Sequence, residues 1–158
     1  MNVMDLETHP GKVEIDLEVG DLKLTLWVDV YEDEAATIPA RRSVWGTETY
    51  YVKPHWALTG KLASQLCGKW RVKLDLESVG PRPEFESKVH EIEFDPCKKG
   101  EYSTLFALQP ADLQPHEAGT VYLPAVTLST VDLCGGEGYI WGYYLGPSVM
   151  FIQQKPEI

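Results

Sequence analysis

Val13, Ile15, Leu17 and Val19 alternate with Glu14, Asp16 and Glu18, and beyond Gly20-Asp21 the alternation resumes with Leu22, Leu24, Leu26, Val28 and Val30. A period of two marks strands with one apolar face, and a Gly-Asp pair suits a short hairpin loop, so this stretch predicts a β-hairpin. Residues 32–43 break the alternation with an acidic cluster, Pro39 and Arg41-Arg42, and read as a long surface loop. Tyr50, Val52, Trp56, Leu58 and Leu62 then share one parity, against Tyr51, Lys53, His55, Thr59 and Lys61. That is one long strand in which Pro54, unable to donate to a ladder, marks an edge position or a bulge.

Trp70, Val72, Leu74 and Leu76 alternate with Arg71, Lys73, Asp75 and Glu77 up to the Gly80-Pro81-Arg82-Pro83 turn. The next strand sets His90, Ile92 and Phe94 on one face and Val89, Glu91, Glu93 and Asp95 on the other. Aligning the polar faces places Arg71 opposite Glu93 and Lys73 opposite Glu91. Residues 102–109, 120–131 and 139–152 supply three more strands, with Pro124 and Gly146-Pro147 as kinks or edge interruptions. The sum is about eight strands with turn signals at sandwich-like intervals and no helical period of useful length. The fold class expected is all-β: a single-domain antiparallel two-sheet β-sandwich that resembles immunoglobulin and fibronectin domains in architecture, with a flattened barrel as the alternative. The domain spans 1–158, with 1–10 and 154–158 as flexible ends. The likeness stops at architecture, because Cys67 lies three residues before Trp70 in a loop rather than pairing across it.

A chain of 158 residues buries about 70% of its extended surface and needs no covalent staple. Its formal charge of −10 repels phosphate backbones and anionic lipid, which excludes nucleic-acid and membrane partners from the expectation. The first residues lack a basic and then apolar leader pattern, and no stretch approaches the ~20 apolar residues of a bilayer span. A cytoplasmic protein is expected, and three cysteines in a reducing compartment are expected as free thiols.

Candidate chemistry is sparse. Cys67, Cys97 and Cys134 each sit in a turn, and an up-and-down strand series brings residues 63–69, 96–100 and 132–138 to one pole. Cys97 with Cys134 is the candidate disulfide, while the lack of any C-x-x-C pair leaves a zinc site poorly supported. His9 and His116 fall near the opposite pole with Glu32-Asp33-Glu34, a weak constellation for a metal or for acid–base work. No G-x-S-x-G elbow or phosphate loop is present, so neither catalysis nor a cofactor is expected. Trp27, Tyr31, Trp45, Tyr51 and Tyr144 are the candidate binding residues, since parity or loop context turns them away from the core. Outward aromatics serve protein contacts or sugar stacking. The expected function is therefore a non-catalytic interaction or assembly module with a protein partner or a second copy, acting through exposed aromatics and sheet edges. The alternatives are a carbohydrate-binding module, and a small metal protein or enzyme with a loop site at one pole.

Overall fold

The computed structural model describes residues 13–17, 22–40, 43–45, 48–61, 63, 67–79, 87–95, 100–109, 113, 119–146 and 148–152. The ends expected to be flexible lie outside these residues. The described chain forms eleven strands: β1 (Val13–Leu17), β2 (Leu22–Tyr31), β3 (Ser43–Trp45), β4 (Tyr50–Gly60), β5 (Lys69–Ser78), β6 (Lys88–Glu93), β7 (Glu101–Ser103), β8 (Phe106–Leu108), β9 (Thr120–Val131), β10 (Glu137–Leu145) and β11 (Val149–Ile152). One sheet, sheet A, runs β1-β2-β4-β7, with β8 also on β4. Sheet B runs β3-β11-β9-β5-β6, with β10 also on β9. The two sheets pack as a sandwich and do not close into a barrel. All pairings are antiparallel except β3 with β11, which is parallel.

The count exceeds eight because two predicted strands are split and β3 is added, and prolines account for both splits. Pro54 lies inside β4, opposite Val28 on β2, and its carbonyl accepts the Thr104 amide at 3.3 Å. A strand residue points its N and its carbonyl to the same side. The position where Pro54 has no N–H to give therefore faces Thr104-Leu105, where β7 ends and β8 has not begun. Pro124 in β9 does the same: its carbonyl takes the Gly146 amide at 2.7 Å, at the break between β10 and β11. A central strand tolerates proline here because the neighbouring strand is interrupted opposite it, not because proline lies on an edge.

Two registers differ from the expectation by two residues, a slip that preserves every face and so cannot be detected from alternation. β1 closes at Leu17 opposite Leu22, leaving a connection of four residues instead of Gly20-Asp21 alone. β5 sets Arg71 opposite Glu91 and Lys69 opposite Glu93, while Lys73 faces Val89.

The core fills the space between the sheets. Trp56 of sheet A and Trp70 of sheet B meet edge to face at 6.0 Å, and Trp70 also meets Phe94 at 5.0 Å and Tyr102 at 5.7 Å. Phe151 holds Tyr50 and Tyr122 at 5.6 Å each. Leu24, Leu26, Val72, Leu74, Val126 and Leu128 complete the buried layer, as their parity requires. The open sides of the sandwich are joined by side chains and by packing. Lys88 Nζ donates to the Ala107 carbonyl at 2.7 Å, Tyr102 Oη accepts the Asp95 amide at 3.0 Å, and β10 packs against β1 and β2.

His90 stacks on Phe106 at 4.0 Å with Nδ1 2.7 Å from Thr104 Oγ1, and burial first, then nearby Lys88, holds its pKa below the usual histidine value. A lowered folded pKa means the unfolded chain binds the proton more tightly. Stability present at neutral pH is therefore lost as pH falls through the ordinary histidine range toward the folded value. Urea midpoints at pH 7.5 and 5.0 are expected to fall further for the wild type than for His90→Gln, and equal falls would remove His90 as a cause.

Candidate functional site

The sequence-predicted aromatics divide among different environments. Trp27, Tyr31 and Tyr51 lie on the face of sheet A turned away from the core, as parity places them. Tyr31 is opposite Tyr51, Trp27 opposite His55, and Asp29 opposite Lys53. Trp27 is only 1% exposed and forms a second small buried cluster with Ala57. Its ring stacks on His55 at 5.0 Å, 7° from parallel, and His55 Nε2 lies 3.4 Å from Asp29 Oδ2. The Tyr31 hydroxyl also approaches Asp29 Oδ2 at 3.4 Å, and burial, then the Asp29 carboxylate, pushes its phenol up. Trp27 is thus not an exposed aromatic, and Tyr31 and Tyr51 are half-buried. Tyr144 faces inward and packs against the main core, with its phenol raised by burial and then by Asp29. Trp45 ends β3 in the other sheet.

The exposed aromatic stripe is elsewhere. Trp141 is 65% exposed, and Tyr143 and Leu145 are 45% exposed, in a row on the outer face of β10. Sequence reading missed them because residues 139–145 are apolar at both parities. The deciding signal is the partner strand: β9 alternates cleanly, and pairing sets Trp141 beside Ser129, Tyr143 beside Thr127 and Leu145 beside Ala125. Gly142 and Tyr144 meet Leu128 and Val126 on the core side.

The outer face of sheet B changes character strand by strand. Next to the β10 ridge, β9 presents, after Leu123, the small side chains Ala125, Thr127 and Ser129. Beyond it, Arg71, Lys73 and Asp75 of β5 face those same residues. These charges are mutually paired: Arg71 Nη2 with Glu91 Oε1 at 3.1 Å, Lys69 Nζ with Glu91 Oε2 at 2.6 Å, and Lys73 Nζ with Asp75 Oδ2 at 3.5 Å. Hydrogen bonds from Lys69, then Arg71, hold the Glu91 carboxyl below its usual range. Exposed pairs contribute about 0.2–1 kcal/mol each, so they form a polar rim more than a source of stability. Desolvation, then the nearby Glu77 and Asp75 carboxylates of β5, push the Tyr143 phenol up.

The other candidates yield less. Gly68 packs against Val131 and Asp132, and its carbonyl accepts the Phe94 amide at 3.2 Å, so the loops of Cys67 and Cys134 do meet at one pole. Both thiols are exposed, and Cys97, the other half of the candidate disulfide, lies outside the described residues. Asp132 Oδ1 accepts the Cys134 and Gly136 amides at 2.9 and 2.8 Å, which builds the turn. His9 and His116 also lie outside the described residues. Asp33 is occupied as a loop brace: the Thr37 hydroxyl and the Ile38 amide donate to it and keep its pKa low. No cluster of three metal-ligating side chains occurs among the described residues. A cavity of about 260 Å³ is lined by Glu32, Ala40, Ser43, Val44, Glu48, Thr49 and Tyr50, none of them a histidine or a cysteine.

No family model and no curated protein matches the chain. No helix among the described residues is long and apolar enough to cross a membrane.

The stripe lies outside the buried core, so Trp141→Ala with Tyr143→Ala is expected to change unfolding stability by no more than about 0.5 kcal/mol per site. Denaturant titration checks this, and a loss of several kcal/mol would show that the stripe holds the fold.

Proposed function

We propose that this protein is a non-catalytic interaction module whose contact surface is the outer face of sheet B, centred on Trp141, Tyr143 and Leu145. The supporting observation is the exposure of two large aromatics side by side on one strand, next to the small side chains of β9 and a paired polar rim. Apolar surface held in water is costly, and aromatics gathered at one place on a surface are the usual anchors of recognition. The sheet edges carry less of the reading than the face, because Lys88 and the β10 packing already bridge the sides of the sandwich.

Hydroxyl-radical footprinting tests this. Trp141 and Tyr143 should oxidise readily in the purified chain and be protected in clarified extract of the source cell, while exposed Leu133 and Ile38 stay equally reactive in both. Unchanged oxidation at Trp141 would contradict the proposal.

A further inference from the structure

The cavity between the loop after β2, strand β3 and the start of β4 has walls fixed by backbone bonds. On the loop side, the Glu32 amide donates to the Ile38 carbonyl at 2.9 Å and the Ala40 amide to the Val30 carbonyl at 3.0 Å. On the β3 side, Val44 pairs with Phe151 of β11, whose ring meets that of Tyr50 edge to face at 5.6 Å. Thr49 Oγ1, next along the wall, accepts the Gln109 amide at 3.2 Å. Such a space is preformed, as small-molecule sites usually are.

Tyr50 is the group in it that the fold does not use fully. It is 2% exposed, no hydrogen bond among the described residues reaches its hydroxyl, and burial alone pushes its phenol up. Buried hydroxyls are ordinarily bonded. The Tyr50 oxygen is not among the sealed polar atoms that lack a partner, so it keeps contact with open space, and the open space that Tyr50 lines is this cavity. Its neighbours there are acceptors: the carboxylates of Glu32 and Glu48, of which Glu48 is exposed, and the hydroxyl of Ser43. None of the described lining residues is basic. From 31 to 50 the sequence sets Glu32, Asp33, Glu34 and Glu48 against Arg41 and Arg42, in a chain of net charge −10, so the field favours a cation.

Size decides which kind of cation. A calcium ion needs six to eight oxygens at about 2.3–2.6 Å. The cavity of about 260 Å³ holds the volume of roughly nine waters, at about 30 Å³ each. No cluster of three metal-ligating side chains occurs among the described residues. An organic cation fills such a space, with Ala40 and Val44 as the apolar wall for its carbon stem.

We infer that this cavity binds a small organic cation, an alkylammonium or alkylguanidinium, with Glu48 and the Tyr50 hydroxyl accepting its N–H groups. The site shares no residue with the β10 stripe and goes beyond the module reading. The test is calorimetric titration of the full chain with agmatine, putrescine, spermidine and arginine methyl ester, with calcium chloride and succinate for contrast. Salt at about 150 mM screens diffuse attraction beyond ~8 Å.

The expected result is saturable one-to-one binding of at least one of the four organic cations, with calcium and succinate silent at the same concentrations. Glu48→Gln should weaken binding about tenfold, the scale of one charge-assisted hydrogen bond. Tyr50→Phe should weaken it several-fold and leave the urea midpoint unchanged, because the hydroxyl bonds nothing in the fold. Glu34→Gln, exposed and outside the lining, should alter neither. Failure of all four cations, tighter binding of calcium or succinate, or equal weakening by Glu34→Gln and Glu48→Gln overturns the inference. A fall in the urea midpoint of Tyr50→Phe overturns the assignment of that hydroxyl to the ligand.

Discussion

Trp70→Ala is expected to cost about 3–5 kcal/mol, enough to unfold a large share of a domain whose total stability is of order 5–15 kcal/mol. Trp70 is fully buried in β5 and touches Trp56 of the opposite sheet, Phe94 beyond β6 and Tyr102 of β7. Its removal takes away dispersion contacts on three sides. The partners belong to strands held by their own ladders, so they close over the void only in part. Trp70→Phe keeps a ring in the site and should recover a substantial part of the loss. Urea unfolding of the three proteins checks this, and a loss below about 1 kcal/mol for Trp70→Ala would mean the sheets are not packed around this residue.

Gly68→Ala is the second large effect, and its cause is backbone geometry. Gly68 has φ of +120°, where a Cβ is strained, and an added Cβ would overlap the Val131 carbonyl oxygen and lie 3.4 Å from the Asp132 Cα. All of these atoms are backbone, so there is no flexible side chain to move aside. Strain of about 1–3 kcal/mol plus displacement of the β5–β9 pairing puts the expected loss at about 3 kcal/mol. Gly135→Ala is the internal comparison: φ is +82° there, but nothing lies within 4 Å of the added carbon. It should cost only the left-handed penalty, about 1–2 kcal/mol. Equal losses in the two variants would show that the approach of Gly68 to Val131 is not a constraint.

Alternation alone located the strands well because a period of two records a strand with one apolar face, most cleanly in β5, whose burial follows it residue by residue, although β2 and β4 are buried on both faces at residues 24–28 and 54–58. It read Trp70 as a core anchor and placed the loops of Cys67 and Cys134 at one pole, as the contact of Gly68 with Asp132 bears out. It missed the split between β7 and β8 because that break lies opposite Pro54 and not in the strand containing it, whereas the interruption expected at Gly146 is where β10 gives way to β11. Register escaped it for another reason: a shift of two leaves every side chain on its own face. The site was the least legible part. Trp27 has the parity of an outward residue yet stacks on His55 in a second buried cluster, and residues 139–145 carry apolar side chains at both parities. Only the pairing of β10 with β9 separates Trp141 and Tyr143 from Tyr144.

Photo-crosslinking in the cell tests most directly whether the outer face of β10 is a contact surface. A benzophenone amino acid is placed singly at position 141 and, as a control, at position 38, which is also exposed but lies in the loop that bonds back to the end of β2 in sheet A. The account predicts a discrete adduct from position 141 and none from position 38, because only the former meets a bound partner. Equal labelling at the two positions, or none at 141, would contradict it.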